Sequence, residues 1–250
     1  MIGTSGYNYP HWWGGVFYPA DLPQRKWLGF YSEYFDSVEL NVSFYRLPGK
    51  EVFEGWYRRT PEDFIFAIKG SRYITHTKRL KECREPLALF FENASVLKEK
   101  LGVVLWQLPP RFKFQKERLE EFCVLLSTLP RSKAVRHAFE FRDDSWLCHE
   151  AFRTLEEFHF AFCIAHGSGL PPIERVTSDF VYLRLHGGQV LYASDYSDGE
   201  LGNWVERIKD WEKKKKWVFA YFNNDAYGFA VKNALALKKI VSGFRDVSSL

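Results

Sequence analysis

The sequence lacks a long apolar run of the kind that crosses a membrane. Its 250 residues are 46% hydrophobic, yet no stretch approaches the roughly 18 consecutive apolar residues that a spanning helix needs. The first residues also lack the features of a secretory signal, because Met1 is followed directly by the strand-like segment 2–6. These absences predict a cytoplasmic protein that has no membrane partner.

Paired cysteines and glycine-rich phosphate loops are missing as well. The cysteines are Cys83, Cys123, Cys148 and Cys163, and no two of them form a CxxC pair. Neither a zinc knuckle nor a redox motif is therefore indicated. The pair Gly14–Gly15 is too short for a phosphate loop or a dinucleotide-binding fingerprint. We predict no cofactor from these patterns.

Strong positive charge is also lacking. The formal net charge of +4 permits an anionic ligand but provides no broad basic surface of a dedicated DNA-binding protein. The run Lys213–Lys216 follows a predicted helix. Cations at a helix C-terminus usually belong to its solvent-exposed end. Binding of nucleic acid is therefore an open alternative that no surface motif requires.

The chain does contain eight strand-like segments that alternate with helical ones. Alternation of this kind predicts a parallel sheet, and eight repeats in about 250 residues predict one α/β domain, a (β/α)8 TIM barrel over residues 1–250. We found no linker or change of composition that would mark a second domain. The predicted strands are 2–6, 37–41, 64–70, 102–108, 138–142, 160–166, 180–187 and 217–223. The predicted helices are 26–35, 49–59, 86–100, 116–128, 149–158, 200–212 and 227–241, with a short one near 173–176.

Polar residues stand at the ends of most predicted strands. The interior of such a barrel is filled by apolar layers, so polar side chains at several carboxyl ends indicate an active-site mouth there. These residues are Glu39, Lys69, Gln107, Glu140, Arg142, His166, Arg184, His186, Asn223 and Asn224. The sequence therefore locates a site without naming a reaction.

Alternation along the strands predicts which side chains point into the barrel. In the fifth strand Glu140 and Arg142 share one face, while Phe139 and Phe141 share the other. The phenylalanines suit the helix layer, which directs the charged residues inward. Tyr182, Arg184 and His186 in the seventh strand follow the same pattern, as do Glu39 and Asn41 in the second.

A purely structural role for these charges is an alternative. Glu140 would pair with Arg142 or Arg184, and Glu39 with Lys69, to form an internal salt-bridge network. Buried ion pairs stabilise a protein poorly compared with well-packed apolar residues. We therefore favour the interpretation that the network is retained for chemistry.

Two loops add further groups to the predicted mouth. Residues 7–19 are rich in aromatic side chains, in a protein that is already 18% aromatic, and they could form a ligand-stacking wall or a lid. The alternative is a loop that folds on its own aromatic cluster. Residues 71–79 combine cations with hydrogen-bonding groups, which suits anions and stacked bases or sugars.

The whole chain resembles the uncharacterised YecE-like family, domain of unknown function seventy-two, whose members are TIM barrels. The motifs that carry the resemblance are Gly3–Tyr7 with Trp12 and Phe17–Pro19; Val38–Asn41 with Phe44–Tyr45; Phe64–Lys69 with Thr75–His76; Gln107–Pro110; Glu140–Arg142 with Ser145–Trp146; Arg184–Gly187; and Tyr221–Asn224. Val42–Ser43 departs from the family, which typically has a threonine beside Phe44. The resemblance implies the fold and carries over no reaction.

The predicted catalytic residues are Glu39, Glu140 and His186, because carboxylates and histidine are the usual acids and bases. Lys69, Arg142 and Arg184 could clamp phosphate or carboxylate groups. The predicted substrate-binding residues are Tyr7, Trp12, Asn41, Tyr45, Lys69, His76, Gln107, Arg142, Trp146, Arg184, Asn223 and Asn224.

Three functions fit this set of residues. The preferred one is an enzyme that performs acid/base or hydrolytic chemistry on a phosphate-bearing substrate with a base or sugar, such as a nucleotide or nucleic-acid end. The second is a glycosidase-like hydrolase that uses Glu39 and Glu140. The third is a protein without catalytic activity that binds a nucleic acid or a small anion. The sequence indicates no oligomeric state.

A divalent metal is a further alternative. Its ligands would come from Glu39, His76, Glu140, His166, His186 and Asp225. No spacing motif supports such a centre, and the neighbouring lysine and arginine residues would repel a cation.

Overall fold

The computed structural model describes residues 1–167, 169–170 and 173–247, and it contains one parallel β-sheet. The predicted domain extends to residue 250, and its residues 168, 171, 172 and 248–250 lie outside the described part. The strands are β1 (Ile2–Thr4), β2 (Ser37–Leu40), β3 (Ile65–Lys69), β4 (Leu101–Gln107), β5 (Arg136–Glu140), β6 (Ala161–His166), β7 (Phe180–Leu185) and β8 (Trp217–Phe222).

The strand order confirms the predicted fold class. The eight described strands run β1-β8-β7-β6-β5-β4-β3-β2, so both neighbours in sequence and the first and last strands lie side by side. A parallel bridge between Ser5 and Glu39 joins the ends of β1 and β2, and the Gly6 amide donates to the Glu39 carbonyl at 2.7 Å. The protein is an α/β (β/α)8 TIM barrel.

Helices follow the strands at nearly the predicted positions. They are α1 (Trp27–Tyr34), α2 (Val42–Tyr45), α3 (Lys50–Arg58), α4 (Arg84–Ala94), α5 (Lys116–Thr128), α6 (His149–Glu157), α7 (Asp198–Lys213) and α8 (Phe229–Val247). The predicted helix 86–100 ends early, because a 3₁₀ segment, Ser95–Lys100, follows α4. No described helix is both long and apolar enough to cross a membrane.

The short helix predicted near residues 173–176 is wrong. The described backbone from 173 to 177 is not helical. Thr177 explains the extended path, because its hydroxyl accepts from the Phe162 amide and donates to the Phe160 carbonyl, both at 2.7 Å. Arg175 pairs with Glu156 of α6. These side-chain contacts replace the local hydrogen bonds that a helix would make.

Contacts within the chain divide it into two compact units. We call Met1–Glu39, Ile164–Glu174 and Phe180–Leu250 the terminal unit, and Leu40–Cys163 with Arg175–Asp179 the central unit. The terminal unit contains β1, β7 and β8, and the central unit contains β3, β4 and β5. The boundaries separate two groups of residues that mainly contact members of their own group. The prediction of one domain over residues 1–250 stays a prediction.

The packing of the central unit shows which strand faces point inward. Trp106 of β4 contacts Phe90 and Phe91 of α4 and Phe122 of α5, so it belongs to the outer, helix-facing side. Gln107, the next residue, therefore lies on the opposite face. In register with it, Glu140 of β5 stands on that same inward face.

An aromatic cluster organises the start of the terminal unit. The Tyr18 ring stacks on Trp27 of α1 with centroids 4.5 Å apart and an interplanar angle of 6°. Trp12 and Phe17 pack edge to face at 5.7 Å. Much of loop 7–19 thus folds on its own rings, which is the alternative that the sequence left open.

Candidate functional site

The terminal unit contains a buried ion pair between Glu39 of β2 and Arg184 of β7. The guanidinium binds the carboxylate at two points, with Nε 3.0 Å from Oε2 and Nη2 2.8 Å from Oε1. Both side chains are almost completely buried. This planar, two-point geometry is the strongest form of an arginine–carboxylate contact. Sequence reasoning matched Glu39 with Lys69, a pairing that stays a prediction.

Two hydroxyl groups complete the surroundings of Glu39. Tyr182 donates to Oε2 at 2.7 Å, and Ser5 donates to Oε1. Burial and the neighbouring Glu39 charge raise the pKa of Tyr182 well above its ordinary value, so the phenol stays protonated as a donor. The four hydrogen bonds match the about four acceptor positions of a carboxylate. A substrate could reach Glu39 only by displacing one of these donors.

His186, the third predicted catalytic residue, lies buried just beyond β7. Its Nδ1 is 3.1 Å from the side-chain nitrogen of Asn223, and its ring packs edge to face on Tyr192 at 5.1 Å. The backbone is held as well, because the His186 amide donates to the His166 carbonyl at 2.7 Å. His186 and Asn223 thus contact each other beyond the ends of β7 and β8, and their predicted roles stay predictions.

Asn224, a predicted substrate-binding residue, is part of a structural network. Its side-chain nitrogen donates to the Ser194 carbonyl at 2.9 Å and to Asn233 Oδ1 at 2.8 Å. His166 is nearby on the same network, with Nδ1 2.9 Å from the Tyr196 hydroxyl, and burial lowers its pKa. These contacts tie the loop after β7 to α8 and give both residues a positional role.

Glu140 and Arg142 form the second buried ion pair, in the central unit. Glu140 ends β5 and is fully buried, and Arg142 Nη2 contacts its Oε1. The Glu140 carbonyl accepts from the Leu108 amide at 2.8 Å, which fixes the carboxyl end of β4 beside that of β5. The predicted pairing of Glu140 with Arg142 is confirmed, and Gln107 lies in register with Glu140.

Lys69 ends β3 in the same unit. Its Nζ stands 4.3 Å from the centroid of the Phe44 ring, a cation–π contact, and the side chain is 9% exposed. Ser43 donates to the Lys69 carbonyl at 2.6 Å, so α2 is bound to the end of β3. The sequence missed α2, a four-residue helix that is too short to produce a periodic pattern.

His76 lies beside this lysine on a π-helical turn, Tyr73–Thr77. Its ring packs edge to face on Phe44 at 5.0 Å, and Nδ1 is 2.9 Å from the Thr75 hydroxyl. Burial, the largest cause, and the positive charges of Arg72 and Lys69 together lower the pKa of His76 to about 4. A neutral imidazole therefore sits in a region of positive potential. Arg72 was not among the predicted binding residues.

Two tryptophans predicted to bind substrate, Trp12 and Trp146, have buried rings. Trp12 is 0% exposed, and its indole nitrogen donates to Asp225. Trp146 is also fully buried and donates to the Phe112 carbonyl. Tyr7 is partly buried, with its carbonyl bound by Tyr18. Neither tryptophan ring presents a free face, so both act as packing residues in this conformation.

The other predicted contact residues of the central unit are more open. Tyr45 is 78% exposed and packs edge to face on Phe44 at 5.1 Å. Asn41 caps α2 through its carbonyl, which accepts from the Phe44 amide at 3.0 Å. Both residues stay predictions as ligand contacts.

Sequence reasoning missed a contact between His11 and Asp225. His11 Nε2 lies 2.9 Å from Asp225 Oδ2, which links loop 7–19 to the end of β8. Burial raises the pKa of Asp225, and the hydrogen bonds from Trp12 and His11 oppose that rise. The two residues are 214 positions apart, and no local pattern connects them.

Metal ligands are not clustered in the part of the chain that the structure describes. Within those residues no three His, Cys, Asp or Glu side chains are arranged to hold a metal ion. The metal alternative therefore has no donor set there, and we derive no chemistry from it.

The fold and the buried charges at the strand ends define a (β/α)8 protein with polar groups at the carboxyl ends of its strands. The family described as "Protein of unknown function DUF72" matches residues 1–248, and the chain belongs to this family. The resemblance seen in the sequence motifs is therefore confirmed.

Named relatives and solved structures support this assignment. The UPF0759 protein YunF of Bacillus subtilis (strain 168) is 27% identical over 274 residues, covering 96% of this chain and 94% of that protein. A crystal structure of a DUF72 family protein (TM1631) from Thermotoga maritima MSB8 is 30% identical with a TM-score of 0.84, covering 96% of this chain and 98% of that one. The DUF72 family protein (EF0366) from Enterococcus faecalis V583, at 21% identity and a TM-score of 0.80 over 96% of this chain and 94% of that one, shows the fold alone.

Proposed function

We propose that the protein is an enzyme that binds a phosphate-bearing substrate in its central unit and performs acid/base or hydrolytic chemistry there. The observation that carries the proposal is the set of polar side chains, two of them charged and buried, at the carboxyl ends of neighbouring strands. Lys69 ends β3, Gln107 ends β4 and Glu140 ends β5. Charges in these positions stabilise the fold less than apolar residues would, and this end of the strands is where such barrels place their chemistry.

The proposed phosphate contacts are the cations at the end of β3 and on the turn that follows it. The Lys69 ammonium group lies 4.3 Å from the centroid of the Phe44 ring, and this cation–π contact positions it. Arg72 is exposed on the turn that follows β3. The lowered pKa of His76 supports a positive potential in this region, because both cations contribute to it. A phosphate group would relieve that potential.

Glu140 is the proposed base. The Arg142 guanidinium contacts its carboxylate, and an adjacent cation favours the ionised form that accepts a proton. Gln107, in register with Glu140, would orient the attacked group through its amide. Arg142 retains about 12% side-chain exposure, so part of its guanidinium can meet an anion.

The glycosidase alternative is less well supported. It requires two carboxyl groups that face one sugar ring. Glu39 accepts hydrogen bonds from Ser5, Tyr182 and Arg184, and these occupy the acceptor positions that such chemistry would use. The alternative of a binding protein without catalytic activity uses the same cations. A measurement of turnover distinguishes it from the enzyme.

Binding is tested by calorimetric titration with inorganic phosphate, pyrophosphate and adenosine monophosphate. We expect binding by the natural protein and at least about tenfold weaker binding after Lys69→Met, which corresponds to about 1.4 kcal/mol. Lys116→Met is the matched control, since Lys116 is an exposed lysine of α5 paired with Glu120. Equal affinity in both variants, or no binding of any phosphate compound, would overturn the proposal.

Turnover is tested by phosphate release from nucleotides and from p-nitrophenyl phosphate. Glu140→Gln keeps the size of the side chain and removes the base, so we expect loss of kcat with phosphate binding retained. Binding without turnover in the natural protein would favour the non-catalytic alternative. A steep salt dependence of single-stranded DNA affinity would then identify nucleic acid as the ligand.

A further inference from the structure

The His11–Asp225 contact lies at the carboxyl ends of β1 and β8, within the terminal unit. His11 belongs to the loop after β1, and Asp225 follows β8 by three residues. The Asp225 side chain is 10% exposed, whereas that of His11 is 42% exposed. A buried carboxylate thus holds an accessible imidazole at the end of the strands where barrels of this class place reactive groups.

Trp12 fixes the direction of the hydrogen bond between these two residues. Its indole nitrogen can only donate, and it lies 2.9 Å from both Asp225 oxygens. The carboxylate is therefore an acceptor toward Trp12. The indole donates to both oxygens, which leaves neither of them placed to carry a proton, so Asp225 is also an acceptor toward His11 and His11 Nε2 carries the proton of that contact. In the neutral ring, Nδ1 then has the free electron pair.

Neighbouring rings hold the imidazole in place. The Tyr9 ring packs against His11 with centroids 5.5 Å apart, and Trp12 meets it edge to face at 6.4 Å. Tyr9 is itself anchored by its hydroxyl, which donates to the Ser5 carbonyl. Tyr9 and Asp225 are the titratable groups that contact His11 within the described residues. The ring thus has a defined tautomer and a defined position.

Anchoring of the loop does not require His11. Trp12 already joins the loop to Asp225 through a buried indole, and a partly exposed hydrogen bond adds little stability. Two large apolar side chains stand exposed on the same two loops, Trp13 at 52% and Tyr227 at 75%. Exposed aromatic rings on the loops that carry an oriented imidazole are the elements of a binding site for a planar group.

We propose that His11, oriented by Asp225 and Trp12, is the reactive base of a second site, which takes an ester that carries an aromatic or heterocyclic ring. Trp13 and Tyr227 pack against that ring. Asp225 and Trp12 are positioning residues, because they act through His11. The proposal does not depend on Lys69 or Glu140. Its tests are therefore independent of the tests of the phosphate site.

The reaction can be written with the residues present. Nδ1 of His11 removes a proton from water while the water oxygen bonds to the ester carbonyl carbon. The ester C–O bond then breaks with its electron pair on the leaving oxygen, which takes up the proton from the imidazolium. Water is consumed, and a carboxylic acid and an alcohol or phenol are released.

The tautomer of His11 is the first test, by ¹⁵N NMR of the imidazole in its neutral form. We expect the proton on Nε2 in the natural protein. Asp225→Ala removes the acceptor of the Nε2 proton, so we expect the ring proton to be shared between Nε2 and Nδ1 in that variant. A proton on Nδ1 in the natural protein would overturn the proposal without any variant.

Rescue by a conservative substitution separates orientation from simple damage. Asp225→Glu keeps a carboxylate that can accept from Nε2 of His11 again. We expect the Nε2 proton to return, with circular dichroism confirming the fold of both variants. If the ring proton stays on Nε2 in both variants, Asp225 does not orient His11.

Hydrolysis of p-nitrophenyl acetate tests the reactivity. We expect His11→Gln to remove most of the activity and Asp225→Asn to lower kcat by at least about tenfold, whereas Trp13→Ala raises KM with little change in kcat. His149→Gln is the control, since His149 is an exposed histidine at the start of α6. Equal rates for His11→Gln and His149→Gln would refute the proposal, whether or not Lys69→Met affects phosphate binding.

Discussion

Arg184 binds Glu39 through two nitrogen atoms inside the terminal unit, with Nε 3.0 Å from Oε2 and Nη2 2.8 Å from Oε1. The Glu39 carboxylate therefore neutralises the Arg184 charge without any ligand. This relationship changes the role expected for both residues. Arg184 is less suited to clamp a phosphate than its position in the sequence indicated, and Glu39 is less suited to act as a base.

Removing one partner of this pair should be far more damaging than removing both. Arg184→Met leaves the buried Glu39 carboxylate without its cation, and we expect a loss of about 3–5 kcal/mol in the free energy of unfolding. The double variant Glu39→Gln, Arg184→Met should recover a large part of this loss. Urea unfolding of the three proteins measures the difference.

An exposed arginine provides the control for that experiment. Arg153 of α6 pairs with Glu157 on the helix surface, and Arg153→Met should change the stability by less than about 1 kcal/mol. Equal losses for Arg184→Met and Arg153→Met would mean that the buried pair is solvated in solution.

The glycine after β3 is required by close packing. A Cβ on Gly70 would stand 2.3 Å from Trp106 Cε3. The indole has no room to retreat, because it is buried and its nitrogen donates to His137 at 3.2 Å. We expect Gly70→Ala to destabilise the protein by about 1–3 kcal/mol in thermal or urea unfolding.

A second glycine of the central unit serves as the comparison. Gly55 lies inside α3, and its added Cβ would meet only Arg59 Nη2, at 3.5 Å. Alanine favours a helix interior over glycine, so Gly55→Ala should raise the stability by about 0.5–1 kcal/mol. Opposite signs for the two substitutions support the packing; the same sign for both would contradict it.

The strands were predictable because their physical signals are local. Alternation with a period of two marks each strand, and a polar residue at its end marks the face that carries chemistry. Glu140, Gln107 and Lys69 stand where this reasoning placed them. Errors occur where a local pattern is absent, as in α2, or where a distant side chain decides, as Thr177 does beside β6.

The partners within the site could not be predicted. Glu39 binds Ser5, 34 positions away, and Tyr182, 143 positions away, so its surroundings depend on how distant strands align. Loop residues are harder still, because a loop has no periodicity. Trp12 is fully buried and its neighbour Trp13 is half exposed, a difference that composition cannot reveal.

The start of α7 provides a prediction about helix capping. The Ser197 hydroxyl accepts from the Glu200 amide at 3.3 Å, while Glu200 Oε2 accepts from the Ser197 amide at 2.8 Å. This capping box satisfies two amides that the helix leaves open. Ser197→Ala should cost about 1 kcal/mol in urea unfolding, and Ser197→Asp should restore most of it.

A serine near the C-terminus of a different helix, α5, is the control for that prediction. Ser127 lies in the last turn of α5, and its hydroxyl donates to the Val124 carbonyl at 3.0 Å. Ser127→Ala removes no cap and should leave the stability nearly unchanged. A similar cost at both serines would show that loss of a hydroxyl, rather than of a cap, is being measured.

His76 should titrate far below an ordinary histidine. Burial, then Arg72 and Lys69, lower its pKa to about 4, from 6.5. Because the folded pKa lies below the unfolded one, this contribution to stability is present above about pH 6.5 and is lost as the pH falls to about 4. With allowance for the partial exposure of the ring, the loss should be about 2 kcal/mol.

Proton NMR of the His76 ring during an acid titration measures this pKa, and a matched pair of variants tests its cause. Arg72→Gln should raise the pKa of His76 because it removes the larger of the two repelling charges, and added inorganic phosphate should raise it in the natural protein. Arg153→Gln, on the surface of α6, should leave it unchanged. If Arg72→Gln has no effect on the midpoint, burial alone sets the pKa of His76, and the positive potential that would attract a phosphate is absent.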